Sequence, residues 1–430
     1  MFSRRRVTRA LLPCVLLATQ IVLLPSASAD AGDLDPTFGT RGWVLSGLDD
    51  SHSEHVTDEA ISADGKIVVV GSLDDDFAIW RFLPGGGVDT SFGGGVVTIP
   101  FGERESRAQA LLLQPDGAIA AAGYAGARIA VVRLLADGAL DPSFGGDGRL
   151  SIRIDRGVGA SAADAALLAD GRIVLGGSTT THGPRRYGSV LIRLRPDGSL
   201  DEGFGSKGMV LDPRGFRALT VDERGIVVAM QPSSRRFAVA RYDFDGTPDP
   251  AFGGDGVRSY CVYRRACDTY DFYGVADLAV DASGKVVLAF GGYFVQPHDI
   301  DGWAVMRLTP EGRRDEDFSG DGVRTLLGAF LGDQPRALAI QGDGRIVLGG
   351  FVGAGGGSGE VLAAIARLEP DGGLDSTFGD EGTVVAPQES YLWSDGVDIA
   401  LQSDGKIVML VQPAYDYLSD SFSLTRVLVT

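Results

Sequence analysis

The sequence predicts an all-β fold, a seven-bladed β-propeller of four-stranded antiparallel blades, closed by an amino-terminal strand that completes the carboxy-terminal blade. Three observations carry that reading: a hexapeptide that recurs along the chain, a hairpin signal between successive copies, and an arginine-bearing strand that runs one copy out of step with the hexapeptide.

The hexapeptide is LDPTFG at 34–39, then VDTSFG (88–93), LDPSFG (140–145), LDEGFG (200–205), PDPAFG (248–253), RDEDFS (314–319) and LDSTFG (374–379). Its Phe falls at 38, 92, 144, 204, 252, 318 and 378, a period of 48 to 66 residues. Periods near ~50 residues with strand signals indicate propeller blades rather than helical solenoids. Between copies stand segments such as ISADGKIVVVG (61–71), LLADGRIVLGG (167–177) and LAIQGDGRIVLGG (338–350). A Gly-containing turn between apolar, β-branched runs supplies the positive φ that tight hairpins need.

The third element is FAIWRF, IAVVRL, SVLIRL, FAVARY, WAVMRL, AAIARL and finally FSLTRV. In six copies the motif Asp follows the Arg by eight residues, from Arg81 and Asp89 to Arg367 and Asp375, whereas Arg426 has no successor and Asp35 no predecessor. A closed ring resolves both. Each blade then has strand a before the hairpin turn, b after it, c with the Arg, and d beyond the motif, and the last blade borrows d from residues near 34–47. Asp35, Phe38 and Arg426 become its structural closure. Strands apolar on both faces suit sheets stacked between neighbours. The Arg and Asp lie symmetrically about a turn and should form a cross-strand pair in all seven blades; alternatively the Asp caps its own turn. The Phe reads as a wedge between blades.

On these motifs the chain resembles the delta-60 repeat proteins, whose L-D-x-x-F-G repeats imply a β-propeller and no particular reaction. The resemblance spans residues 33–430. Ser319, Pro248, Arg314 and the turn Glu223-Arg224-Gly225 depart from the pattern.

Residues 1–29 read as a cleaved signal peptide: Arg4, Arg5, Arg6 and Arg9, an apolar run from Ala10 to Pro25, and the exit Ala27-Ser28-Ala29. The run is shorter than the roughly 20 residues of a spanning helix, so the expectation is a secreted or periplasmic protein with no membrane span after cleavage. Ser3-Arg4-Arg5 has a flavour of twin-arginine export, though an ordinary secretory leader fits better. The remaining residues, 30–430, form a single propeller domain, expected to be monomeric. Without the four leader arginines, 35 Lys+Arg face 57 Asp+Glu, a formal charge of −22, which excludes nucleic acid as a partner. Cys261 and Cys267, close together in an oxidising compartment, are expected to form a local disulfide.

A function should sit on the face bearing the b–c and d–a loops, whose lengths vary. All four histidines fall there: His52, His55, His182 and His298. The fifth blade adds aromatic residues in YFVQPHDIDGW (293–303), giving the ligand-binding candidates Tyr293, His298, Asp299, Asp301 and Trp303 beside His52, His55 and His182. HDIDG (298–302) and LDDD (73–76) would admit Ca²⁺ but lack a complete ligand loop; no other cofactor and no other metal is expected. The sequence has no nucleophile elbow or zincin helix. The expected function is therefore non-catalytic binding of a protein, glycan or surface polymer, with no catalytic residue assigned. The rival is a carbohydrate-active hydrolase or lyase with its site at the central channel.

Overall fold

The computed structural model describes residues 30–429, except 49–50, 155–158, 181–186, 234–235, 262–271, 295–299, 328–333, 354–360, 386–393 and 414–420. The described strands form seven sheets of four antiparallel strands each, with a single short 3-10 turn at Gly93–Gly95 and no α-helix among them. The a strands are Glu54–Ile61, Ser106–Leu113, Ala160–Leu167, Gly215–Asp222, Phe272–Val280, Gln334–Ile340 and Ser394–Leu401. Each contacts the a strands before and after it, the last returning to the first, so the a strands line the axis and the d strands the rim. In the seventh blade Trp43–Leu45 pairs with Ser423–Thr425, and the Asp35 amide donates to the Arg426 carbonyl at 2.9 Å.

The b and c strands are mostly apolar, apart from the Arg of strand c, and largely buried on both faces, as in Ile67–Leu73. Core clusters lie between blades rather than inside them. One joins Val68, Val70, Phe77 and Ile79 of the first blade to Ile119, Ala121 and Val132 of the second.

The hexapeptide builds the joint. Its Phe is fully buried in every blade. The Arg of the same blade stacks over the ring, 4.4 Å from guanidinium carbon to centroid for Arg81 and Phe92 and 5.9 Å for Arg241 and Phe252. Against the ring's edge sits a turn glycine of the next blade: a Cβ on Gly138 would come 3.0 Å from Phe92. The motif Gly adopts positive φ, from 51° at Gly39 to 70° at Gly253, and Ser319 takes the same conformation at 53°. Ser319 thus keeps the backbone of the motif at a strain that glycine avoids.

The two roles weighed for the motif Asp turn out to be combined. In six blades one oxygen accepts from the Arg Nε, at 2.6 Å for Asp315 and 3.0 Å for Asp35. The other caps the backbone two residues on, as with Thr37 and Ser91. The Arg also donates to a turn carbonyl of the next blade, Arg81 to Ala136 and Arg426 to Pro84.

The expectation of seven such pairs needs correction in the fourth blade, where Arg241 donates to Asp222 at 2.8 Å instead of to Asp249. The cause is the turn. In five of the other blades a three-residue turn leads into a basic residue that supports the motif Asp, as Lys285 does for Asp315 at 2.9 Å and Lys406 for Asp35 at 3.3 Å; the second blade has Ala118 there. In the fourth blade Asp222 pairs directly with Gly225 across a two-residue turn, and the Asp222 carboxylate takes the arginine.

Candidate functional site

The inner edges of the a strands face the axis, where no further strand can pair with their amides; buried amides need acceptors. Every a strand carries a bulge at the same place, and the residues just past it are Asp58, Ala110, Asp164, Ala218, Asp277, Ala337 and Asp398. Aspartate and alanine alternate around the ring.

The next amide in each strand is the one that needs an acceptor, and the aspartates supply them in twos. Asp164 accepts from Ala165 in its own strand and from Leu219 in the following blade, both at 2.7 Å. Asp277 takes Leu278 at 2.6 Å and Leu338 at 2.8 Å. Asp398 takes Ile399 at 2.8 Å and Glu59, across the seam into the first blade, at 2.9 Å. Asp58 takes Leu111 at 2.6 Å. One aspartate serves two blades, so the blade between needs none.

Seven is odd, and the alternation must fail once. It fails at the seam between the seventh and first blades, where Asp398 and Asp58 are neighbours. Asp398 already holds the Glu59 amide, which leaves the second oxygen of Asp58 without a donor. That carboxyl meets Asp398 instead, in hydrogen-bond contact. Two carboxyls in contact cannot both ionise, and the arrangement requires a proton between them.

Burial pushes Asp58 well up, and the charge of Asp398 pushes it further. Burial raises Asp398 as well, against the opposing hydrogen bond from Asp58. Asp164 is pushed up to about 7 by burial, and Asp277 to about 8 by burial and the charge of Asp164. Glu59 stands where the other blades place Leu111, Ala165, Leu219, Leu278, Leu338 and Ile399. It is buried, its carboxyl oxygens have no hydrogen-bond partner, and the backbone of Ala400 and Leu410 lies close without bonding geometry. Burial, then the charge of Asp398, raises it well above the usual carboxylate range.

The residues singled out from sequence do not converge on this ring. His52 Nδ1 lies 2.7 Å from Asp74 Oδ2, and the other Asp74 oxygen accepts from the Ser53 amide at 3.0 Å. That backbone bond, then His52, holds Asp74 below its ordinary value. His55 is exposed on strand a of the first blade, opposite Ser72. Tyr293 and Asp301 are backbone register partners across strands b and c of the fifth blade. Trp303, expected on the ligand face, is instead a core residue between the fifth and sixth blades, 4% exposed, its indole donating to the Phe351 carbonyl at 3.2 Å. His182, His298, Asp299 and Cys267 lie outside the described residues; Cys261 follows strand d of the fourth blade. Among the described residues no group of three or more His, Cys, Asp or Glu side chains is placed to hold a metal ion.

Fold and repeat together define a β-propeller repeat protein. Five segments, residues 62–92, 114–144, 168–204, 230–252 and 341–378, match the model of a family described as a domain of unknown function (DUF5122) beta-propeller. Among curated proteins none matches the chain. Similar solved structures include a protein from Lactobacillus plantarum, 15% identical, with a TM-score of 0.45 over 78% of this chain and 89% of that one. The PQQ-bound aldose sugar dehydrogenase from Streptomyces coelicolor is 17% identical, with a TM-score of 0.41 over 76% of this chain and 98% of its own. A polysaccharide lyase, an ulvan lyase, is 11% identical, with a TM-score of 0.41 over 93% and 94%. None of these likenesses bears on activity.

Proposed function

We propose that the chain is an exported β-propeller of the delta-60 repeat kind, a non-catalytic scaffold that binds a protein, glycan or surface polymer through residues that do not repeat. One observation supports this above others: the aspartates that recur from blade to blade are taken up by contacts inside the ring. The motif Asp residues hold arginines and turns, and the axial aspartates hold backbone amides. General acid and base catalysis needs groups free to reach a substrate proton. At Asp164, Asp277 and Asp398 both carboxyl oxygens already accept a main-chain amide. What remains for recognition is the unrepeated surface of a rigid ring.

The reading includes removal of residues 1–29, a secreted or periplasmic location and a monomeric state. It is tested by presenting the mature protein to a glycan array and a secretome, with and without Ca²⁺. Retention of a ligand that is recovered chemically intact is the expected result. Retention of nothing, or release of a cleaved or eliminated glycan, would overturn it.

A further inference from the structure

At most blade interfaces two apolar side chains meet at the outer rim, one from strand d and one from the leading position of the next hexapeptide. Val44 and Val88 pack on one core cluster, Val97 and Leu140 on a second, Leu150 and Leu200 on a third, Val384 and Leu34 on a fourth. Val210 and Pro248 occupy these places between the third and fourth blades, Arg324 and Leu374 between the fifth and sixth. Only between the fourth and fifth blades are both apolar residues exchanged, for Arg258 and Arg314.

The double exchange opens the rim. An open cleft of about 820 Å³ lies there, lined by Arg258, Ser259 and Tyr260 from strand d of the fourth blade and by Arg313 and Arg314 from the fifth. Its wall is fixed: Tyr260 is buried, stacks on Phe237 at 5.3 Å and donates its hydroxyl to the Gly312 carbonyl at 2.6 Å. Arg314 is held by a hydrogen bond from Nη2 to the Cys261 carbonyl. Arg258 and Arg313 are exposed, and no ion pair holds either among the described residues. Glu316 and Asp317, from the same hexapeptide as Arg314, also line it and are exposed.

Resting on the scaffold reading, we infer that this cleft is the binding site for an anionic glycan. The cleft brings three guanidiniums together in a chain of formal charge −18. Guanidinium forks match carboxylate and sulfate groups bidentately. Asp317 can accept hydrogen bonds, which a polyhydroxylated ligand supplies and a simple anion does not. The combination selects a sugar that carries both hydroxyls and an acid group over a neutral sugar or a bare anion.

The test is binding of polygalacturonate, dextran sulfate and neutral dextran to the mature protein, at low and high salt. A carboxylate or sulfate polymer should bind, the stronger of the two identifying the acid group, and neutral dextran should not. The double variant R258V/R314L restores the apolar pair found at other interfaces, so it should fold and melt at or above the wild-type temperature while losing at least about tenfold in affinity. R313A, which leaves that pair untouched, should weaken binding by a smaller factor, and R224A, on an exposed turn, should not change it. Failure of both charged polymers to bind better than dextran, or undiminished binding by a folded R258V/R314L, would overturn the inference. A screen ligand that R258V/R314L still binds would sink the cleft and leave the scaffold standing; a screen without any ligand would sink the scaffold itself.

Discussion

The rim and the axis of this propeller each carry a ring of aspartates, and the two rings titrate in opposite directions. At the rim Asp35, Asp89, Asp141, Asp201, Asp315 and Asp375 all lie below their ordinary value. For Asp35 burial acts upward, but the hydrogen bonds from Thr37 and the charge of Arg426 outweigh it and hold the carboxyl at about 2. At the axis no cation stands beside Asp58, Asp164, Asp277 or Asp398 among the described residues; burial pushes all four up, and the charge of a fellow carboxylate adds to it at Asp58, Asp164 and Asp277. Side-chain identity is the same in both places. What differs is the depth of burial and the set of donors: at the rim hydroxyl and amide hydrogen bonds together with a guanidinium outweigh desolvation, whereas at Asp164 and Asp277 two amides do not.

Several changes would break that contrast, and the most severe is loss of the seam. Deleting residues 30–47 removes strand d of the seventh blade and strands Arg426, and should abolish the cooperative melt followed by circular dichroism. Removing a wedge is next: Phe204→Ala should cost ~3–5 kcal/mol in urea denaturation. At the rim, Asp35→Ala leaves a buried guanidinium without its partner and should cost about 3 kcal/mol. Asp249→Ala, in the blade where the arginine has gone to Asp222, loses a turn cap and should cost no more than about 1 kcal/mol. Equal losses for the two would contradict the rearrangement of the fourth blade.

The pH profile separates the rings directly. A carboxyl held low in the fold stabilises it above the unfolded value and loses that contribution as pH falls, so the rim weakens the protein from about 4 down to about 2. A carboxyl held high acts the other way. The unfolded chain then binds fewer protons than the folded one, and stability falls as pH rises from about 4 through the axial values of about 7 and about 8. The urea midpoint should therefore be higher near pH 5 than at pH 8.5. The smallest effect is a gain: Asp58→Asn keeps an oxygen for the Leu111 amide and supplies a permanent donor toward Asp398, so it should add about 1 kcal/mol at pH 8 and nothing at pH 4. Asp277→Asn must lose one of two amide acceptors and should destabilise at both.

Much of the rim was legible in the sequence because it is made of local spacing. The eight residues from Arg to Asp, the Phe three further on, and the unmatched Arg426 and Asp35 are read directly along the chain. The fourth blade's exception was hidden in one missing turn residue, visible as Glu223-Arg224-Gly225 but without a sign that Asp222 would capture Arg241. The axial ring left a fainter trace. Asp58, Asp164, Asp277 and Asp398 sit in a strands that otherwise resemble one another, and their meaning depends on a period of two blades, on a shared bulge and on amides with no strand beyond them. Trp303 misled because an aromatic near a loop reads the same whether it faces solvent or the next blade.

Asp164, Asp277 and Asp398 each close one amide in their own blade and one in the next, while Asp58 closes one in the next alone. Residue-resolved amide exchange on Asp164→Ala tests this sharing most directly. Ala165 and Leu219 should exchange at least about tenfold faster, while Leu278 and Leu338 keep their wild-type rates. Unchanged protection at Ala165 and Leu219, or equal acceleration at all four amides, would contradict it.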